Sequence, residues 1–247
     1  MTIDSENDVE ALKRIGRIVA TVLQRMLEAM EPGMTTRELD AFGAALLERE
    51  GARSAPQLTY DFPGATCISV NEEAAHGVPG DRVIQAGDVV NVDVSAELDG
   101  YFADTGGTGV VPPSSELKNR LCHATRQALM AAMQVARAGA PLNGIGAAIE
   151  RTAKQHRFRI IENLGSHGVG RALHEAPDIP GCRAPRDRRV LEEGAVITIE
   201  PFLSTKSRRV MEAEDGWTLL AEPGNLSAQY EHTLILTRGA PVVVTVA

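Results

Sequence analysis

Leu12, Ile15, Val19, Val22, Leu23 and Met26 recur at three- and four-residue intervals within residues 8–31, and the run stops at Pro32-Gly33. That period places the apolar side chains on one face of a helix, which the Pro-Gly pair cannot continue. Thr35 followed by Glu38 has the spacing of a capping box, so a second helix carrying Leu39, Phe42, Leu46 and Leu47 is expected to run on to Gly51. Three short β-prone runs come next: Thr66 to Val70, Val89 to Val94 and Tyr101 to Thr105.

The same order then returns. Leu117, Leu121, Ala124, Ala128, Met130 and Met133 predict a long helix ending near Gly139, and Asn143 is a candidate cap for a second one through Ile145 and Ile149. Strands are expected again around Phe158 to Ile161, Val196 to Glu200, Trp217 to Ala221 and His232 to Thr237. Gly33 and Gly139 lie 106 residues apart, while Gln85-Ala-Gly-Asp-Val-Val-Asn-Val-Asp93 and Glu192-Glu-Gly-Ala-Val-Ile-Thr-Ile-Glu200 lie 107 apart. Each copy has a glycine six residues before a carboxylate that ends an apolar strand, with an Asp-Gly turn further on. An internal duplication explains this most simply: one α+β domain over residues 1–247, with pseudo-repeats at about 8–110 and 115–240 and a site on the pseudo-twofold axis.

Composition narrows the function classes. With 25 Lys+Arg against 33 Asp+Glu the net charge is −8, which argues against a specific nucleic-acid partner because phosphate affinity rests on concentrated Lys and Arg. At 43% hydrophobic residues the chain can bury a sizeable core. No window approaches the roughly 18 consecutive apolar residues of a membrane span, and the start is acidic where a signal peptide is basic. A cytoplasmic protein with no membrane partner is expected. Cys67, Cys122 and Cys182 are odd in number and widely spaced, fitting neither a disulfide framework nor a zinc knuckle.

Four acids stand where strands end or turn. Asp93 closes Val89-Val-Asn-Val, Asp104 follows across the Asp99-Gly100 turn, Glu200 ends Val196-Ile-Thr-Ile, and Glu231 lies inside a β-prone run. Each alone reads as a solvated carboxylate; their placement at duplicated positions is what singles them out. Buried together they need a cationic partner. His167 and His174 frame a glycine-rich stretch unsuited to a long helix, and His76 sits in a loop. No His-Glu-x-x-His occurs, and Gly165-x-x-Gly168-x-Gly170 has the wrong glycine order for a phosphate loop. Two Asp, two Glu and one His form an oxygen-rich set able to hold two divalent ions, suited to Mn, Fe(II), Co or Zn. Two such ions about 3.5–4 Å apart are a recognised device for hydrolysis.

These residues resemble the type I methionine aminopeptidases of the pita-bread fold, from about Val9 to Thr237. The most specific matches are Asn71-Glu-Glu-x-x-His-Gly-Val-Pro, Asn91-Val-Asp-Val, Asp104-Thr, Ser166-His-Gly-Val-Gly-Arg, His174-Glu-x-Pro, Thr198-Ile-Glu-Pro and Gln229-Tyr-Glu-His-Thr. The resemblance implies an internally duplicated fold around a central curved antiparallel sheet, and Asp93, Asp104, His167, Glu200 and Glu231 as metal ligands. It implies that His76 and His174 hydrogen-bond the scissile amide, that Glu200 also shuttles a proton, and that the protein removes N-terminal methionine ahead of a small second residue. The implied partners are the N-termini of nascent polypeptides, with the ribosome contacted, if at all, through the catalytic domain of a monomer.

For the methionine pocket the corresponding positions are Thr59, Phe62, Cys67, Leu173 and Trp217, each of which also reads as ordinary packing. Thr59 and Phe62 stand where the best-known bacterial pattern has tyrosines, Leu173 replaces a phenylalanine, Ala75 replaces a cysteine, and Gly106-Gly107 replace a serine and a longer side chain. Two other readings remain. The metal set also occurs in aminopeptidase P and prolidase, which carry an additional N-terminal domain, and a first repeat helix beginning near residue 8 is expected to leave no room for one. A noncatalytic pita-bread protein that binds peptides typically loses ligands.

Overall fold

The computed structural model describes residues 1–247. Helix α1, Glu6–Ala29, starts at a capping box in which the Ser5 hydroxyl accepts from the Asp8 amide and the Asp8 carboxylate accepts from the Ser5 amide. Its buried stripe is Leu12, Ile15, Val19, Val22 and Met26, as the periodicity requires. Helix α2, Thr36–Arg49, opens on the predicted Thr35–Glu38 capping box. A one-and-a-half-turn helix, α3, Ala55–Tyr60, follows; it is too short for hydrophobic periodicity to reveal. Helices α4, Glu116–Val135, and α5, Asn143–His156, form the second helical pair.

The apolar faces of α1 and α2 close over a core of Ile68, Val90, Val92, Val94 and Ala103. Helices α4 and α5 close over a separate core containing Ile197, Ile199, Leu203 and Leu234. The register of α4 differs from the sequence reading. Leu117 and Met130 are 46% and 51% exposed, because the buried stripe runs through Leu121, Ala124, Ala128 and Leu129. Nor does Asn143 cap α5. Leu142 occupies the cap position without a side-chain bond, and the Asn143 side-chain oxygen Oδ1 instead accepts from the Ala184 amide.

Strand Val89–Leu98 pairs antiparallel with Tyr101–Val110 around Asp99-Gly100, both at positive φ, the conformation an Asp-Gly hairpin turn supplies. Strand Cys67–Val70 lies on its other side, with Cys67 opposite Asp93. A five-stranded antiparallel sheet runs in the order Val242–Val243, His232–Ile235, Val196–Ile199, Gly165–Gly168, Glu175–Pro180. The two sheets are joined where the Glu231 amide donates to the Gly106 carbonyl and the Thr233 hydroxyl bonds the Asp104 backbone. Two smaller three-stranded sheets flank this junction. The result is the mixed helix and sheet architecture of the pita-bread fold, with Asp93, Asp104, Glu200 and Glu231 at strand positions or ends facing its centre.

The glycines that resemble a phosphate loop have a packing explanation. A Cβ on Gly168 would lie 2.2 Å from the Ala176 carbonyl oxygen, so the bare backbone is what allows Gly165–Gly168 to pair closely with Glu175–Pro180.

Candidate active site

A cavity of about 630 Å³ opens between the two halves. Asp93, Asp104, His167 and Glu200 line its inner end, and Glu231 lies buried behind them. Ligand-capable atoms of Asp104, His167 and Glu231 all fall within 4.8 Å of one another. Glu200 Oε1 is 3.5 Å from His167 Nε2, and Asp104 Oδ2 is 3.8 Å from the same nitrogen. Asp93 lines the same cavity from the strand paired with the one that carries Asp104.

Local structure fixes these groups. The His167 Nδ1 lies 2.9 Å from the Gly168 carbonyl oxygen; as a donor there, it leaves the Nε2 lone pair facing the acids. The Glu200 amide donates to Ser166 Oγ, and Thr198 Oγ1 lies 3.4 Å from Glu200 Oε1.

The other histidines line the same cavity. His174 packs against His167 with ring centroids 4.1 Å apart and the planes tilted by 51°, and its Nδ1 is 2.7 Å from the Tyr60 hydroxyl. His76, at positive φ, precedes Gly77, whose amide donates to Ser69 Oγ while its carbonyl accepts from Ile68. Desolvation by the cavity walls pushes both ring pKa values down, favouring neutral imidazoles.

Phe62, Cys67, Leu173 and Trp217 also line the cavity, with Phe62 edge-on to Trp217 at 5.2 Å. Burial, reinforced by Asp93, drives the Cys67 thiol well above its ordinary value, so it serves as a neutral wall rather than a nucleophile. Thr59 is not part of this wall. It is exposed, and the next residue of α3, Tyr60, takes the lining position. Sequence pattern does not reveal Tyr60, because the six-residue α3 carries no periodic signal; its one mark in the sequence is that it is one of only three tyrosines.

Metallopeptidase family M24 matches residues 10–238. The chain belongs to this family. Two relatives agree along almost all of it: methionine aminopeptidase 2 of Bacillus subtilis is 43% identical over 99% of both chains, and the methionine aminopeptidase of Staphylococcus epidermidis is 46% identical over 99% of this chain and 98% of its own. The crystal structure of the Thermotoga maritima methionine aminopeptidase superimposes with a TM-score of 0.95 at 32% identity, covering all of both chains.

Divalent metal binding goes with membership of M24, and the residues at the centre fit it. Burial lowers the His167 pKa to about 3, so its ring carries no compensating charge. Burial likewise raises Asp104 to about 6 and pushes Asp93, Glu200 and Glu231 well above the carboxylate range, with Asp104 adding repulsion to each. Asp104 Oδ1 and Glu231 Oε1 are buried without a hydrogen-bond partner. Unpartnered carboxylate oxygens beside a neutral imidazole lone pair are a poor hydrogen-bonding arrangement and a good set of hard-cation ligands.

Proposed function

We propose that this M24 peptidase is a methionine aminopeptidase that removes the N-terminal methionine of nascent polypeptides and peptides with a small second residue. The observation that carries this reading is the juxtaposition in one cavity of a buried four-acid, one-histidine cluster with an apolar wall of Phe62, Cys67, Leu173 and Trp217. The full-length likeness to enzymes of that name supports it.

Asp93, Asp104, His167, Glu200 and Glu231 would hold two divalent ions, drawn from Mn, Fe(II), Co or Zn. When bound, the pair supplies Lewis acidity and lowers the pKa of a water at the site to near neutrality. The protein's own groups do the rest. The unbranched methionine thioether packs against the wall formed by Phe62, Cys67, Leu173 and Trp217, where a flexible side chain can fill an irregular apolar cavity. His76 and His174 hydrogen-bond the scissile amide and favour the tetrahedral geometry as charge grows on its oxygen. Glu200 accepts a proton from the attacking water and delivers it to the leaving amine.

The reading includes a single catalytic domain built from pseudo-repeats at 8–110 and 115–240, supported by the helix–helix–strand order of both halves. It also takes the protein to be a cytoplasmic monomer acting on the N-termini of nascent polypeptides. No helix is long and apolar enough to cross a membrane.

A tripeptide panel tests the specificity. kcat/KM should be far higher for Met-Ala-x than for Met-Leu-x or Met-Lys-x, because a large second side chain must clash near His174, with norleucine tolerated in place of methionine. Equal rates for Met-Ala-x and Met-Lys-x would overturn the specificity, and faster cleavage of x-Pro substrates would favour the prolidase-like alternative.

A further inference from the structure

Three residues that the metal cluster itself leaves unexplained converge behind Glu231: Asn91, Gln229 and Gly106. Gln229 is fully buried and Asn91 nearly so. The Asn91 Nδ2 donates to Gln229 Oε1 at 2.8 Å, and Gln229 Nε2 donates to Glu231 Oε2 at 2.9 Å. The order of these bonds matters. Asn91 presents an N–H to Gln229, so the Gln229 amide must turn its oxygen toward Asn91 and its NH2 toward the acids. Flipping that amide would set two N–H groups against each other and a carbonyl against a carboxylate. The Asn91 amide is itself placed by the Thr108 hydroxyl, 3.2 Å away, and by the Gln229 carbonyl at 3.3 Å.

Gly106 supplies the space. It is the register partner of Asp93, and a Cβ there would lie 2.1 Å from Gln229 Oε1 and 2.4 Å from Nε2. No side chain can stand at this position while Gln229 keeps its place. The Gly106-Gly107 departure thus has a physical counterpart, since the hairpin strand loses a side chain where the neighbouring strand inserts an amide.

We propose that Gln229 is a positioning residue for the metal centre: oriented by Asn91 and admitted by Gly106, its NH2 group anchors Glu231 through Oε2 and leaves Oε1 free to act as a ligand atom. An anchored carboxylate loses little freedom on binding a cation, and hydrogen bonds from such outer groups commonly contribute about 10–100-fold to metal affinity. The inference rests on the metallopeptidase reading of the cluster.

The test is calorimetric titration of Mn(II) into metal-stripped wild type, Gln229→Met and Gly106→Ala. Methionine keeps the length of the side chain but has no donor; alanine at 106 keeps the amide and displaces it. Both variants should bind Mn(II) about 10–100-fold more weakly, with far-UV circular dichroism unchanged. In Co(II)-loaded protein, the visible absorption band should shift in Gln229→Met, which a loss of general stability would not cause. If wild type binds Mn(II) and both variants bind it equally well, Gln229 has no positioning role. Should Gln229→Met fail to fold, Gly106→Ala decides the question alone. If wild type binds no Mn(II), it is the metallopeptidase reading that fails.

Discussion

Asp93 and Asp104 sit diagonally across one hairpin, Asp93 opposite Gly106 and Asp104 opposite Ser95, so alternate positions on facing strands aim both carboxylates at the same face. Directly opposed like charges destabilise a strand pair; the two-residue offset keeps them from facing each other directly while the glycine leaves room at the centre. Folding therefore concentrates acid at one point, and it does so at an energetic cost that depends on pH.

The sign of that dependence follows from the raised pKa values. Asp104, held near 6 by burial, binds its proton more tightly folded than unfolded. Its contribution to stability is complete below about pH 4 and is lost as pH rises through 6. Asp93, Glu200 and Glu231 shift in the same direction and extend the loss upward. His167, depressed to about 3, acts oppositely, but its contribution is already complete above its unfolded pKa of about 6.5. Above about pH 6.5 the histidine contribution no longer changes, so the acids set the sign of the slope. Differential scanning calorimetry of metal-stripped protein should show Tm falling from about pH 6.5 to 8.5. Saturating Mn(II) should raise Tm most at the alkaline end, by the equivalent of about 2.7 kcal/mol at a hundredfold excess over Kd. A stripped protein that grows more stable from pH 6.5 to 8.5 would refute the electrostatic account.

His76 reaches the cavity without belonging to the acid cluster. Its proposed hydrogen bond strengthens as the amide carbon becomes tetrahedral, so His76→Ala should lower kcat by about a hundredfold or more while KM changes little. Metal content, read by atomic absorption, should stay the same. Near-normal kcat in the variant would remove His76 from the reaction.

Tyr60 and Thr59 offer a paired comparison on one helix turn. The Tyr60 hydroxyl lies 2.7 Å from His174 Nδ1, a bond worth about 1 kcal/mol net. Tyr60→Phe should reduce kcat/KM about fivefold, whereas Thr59→Ala, at an exposed position outside the cavity, should leave the kinetics unchanged. The reverse ranking would restore Thr59 to the pocket.

Long periodic segments were the legible part of the fold. The stripe of α1 and the Thr35–Glu38 box announce themselves because helical burial repeats along many residues. The strand ends at Asp93 and Glu200 were readable because apolar runs break on a carboxylate. What stayed hidden depends on tertiary partners. The residues of strand Glu175–Pro180, Glu-Ala-Pro-Asp-Ile-Pro, do not alternate polar and apolar side chains, and Gly168 allows its close pairing. Met130 has the right spacing for the core but faces solvent, since α4 is rotated by its contacts with α5. Tyr60 and Gln229 matter through neighbours more than forty residues distant, His174 and Asn91, and no local spacing encodes such contacts.

The central claim is that hydrolysis of N-terminal methionine depends on divalent ions held by the acid and histidine cluster. The most direct measurement is the initial rate of Met-Ala-Ser cleavage by exhaustively chelated protein as Mn(II), Co(II) or Fe(II) is added back, with bound metal quantified in the same samples. No hydrolysis is expected before metal is added, with a rise to a plateau by two equivalents and no recovery in His167→Ala. Full activity in protein verified to be metal-free would contradict the account.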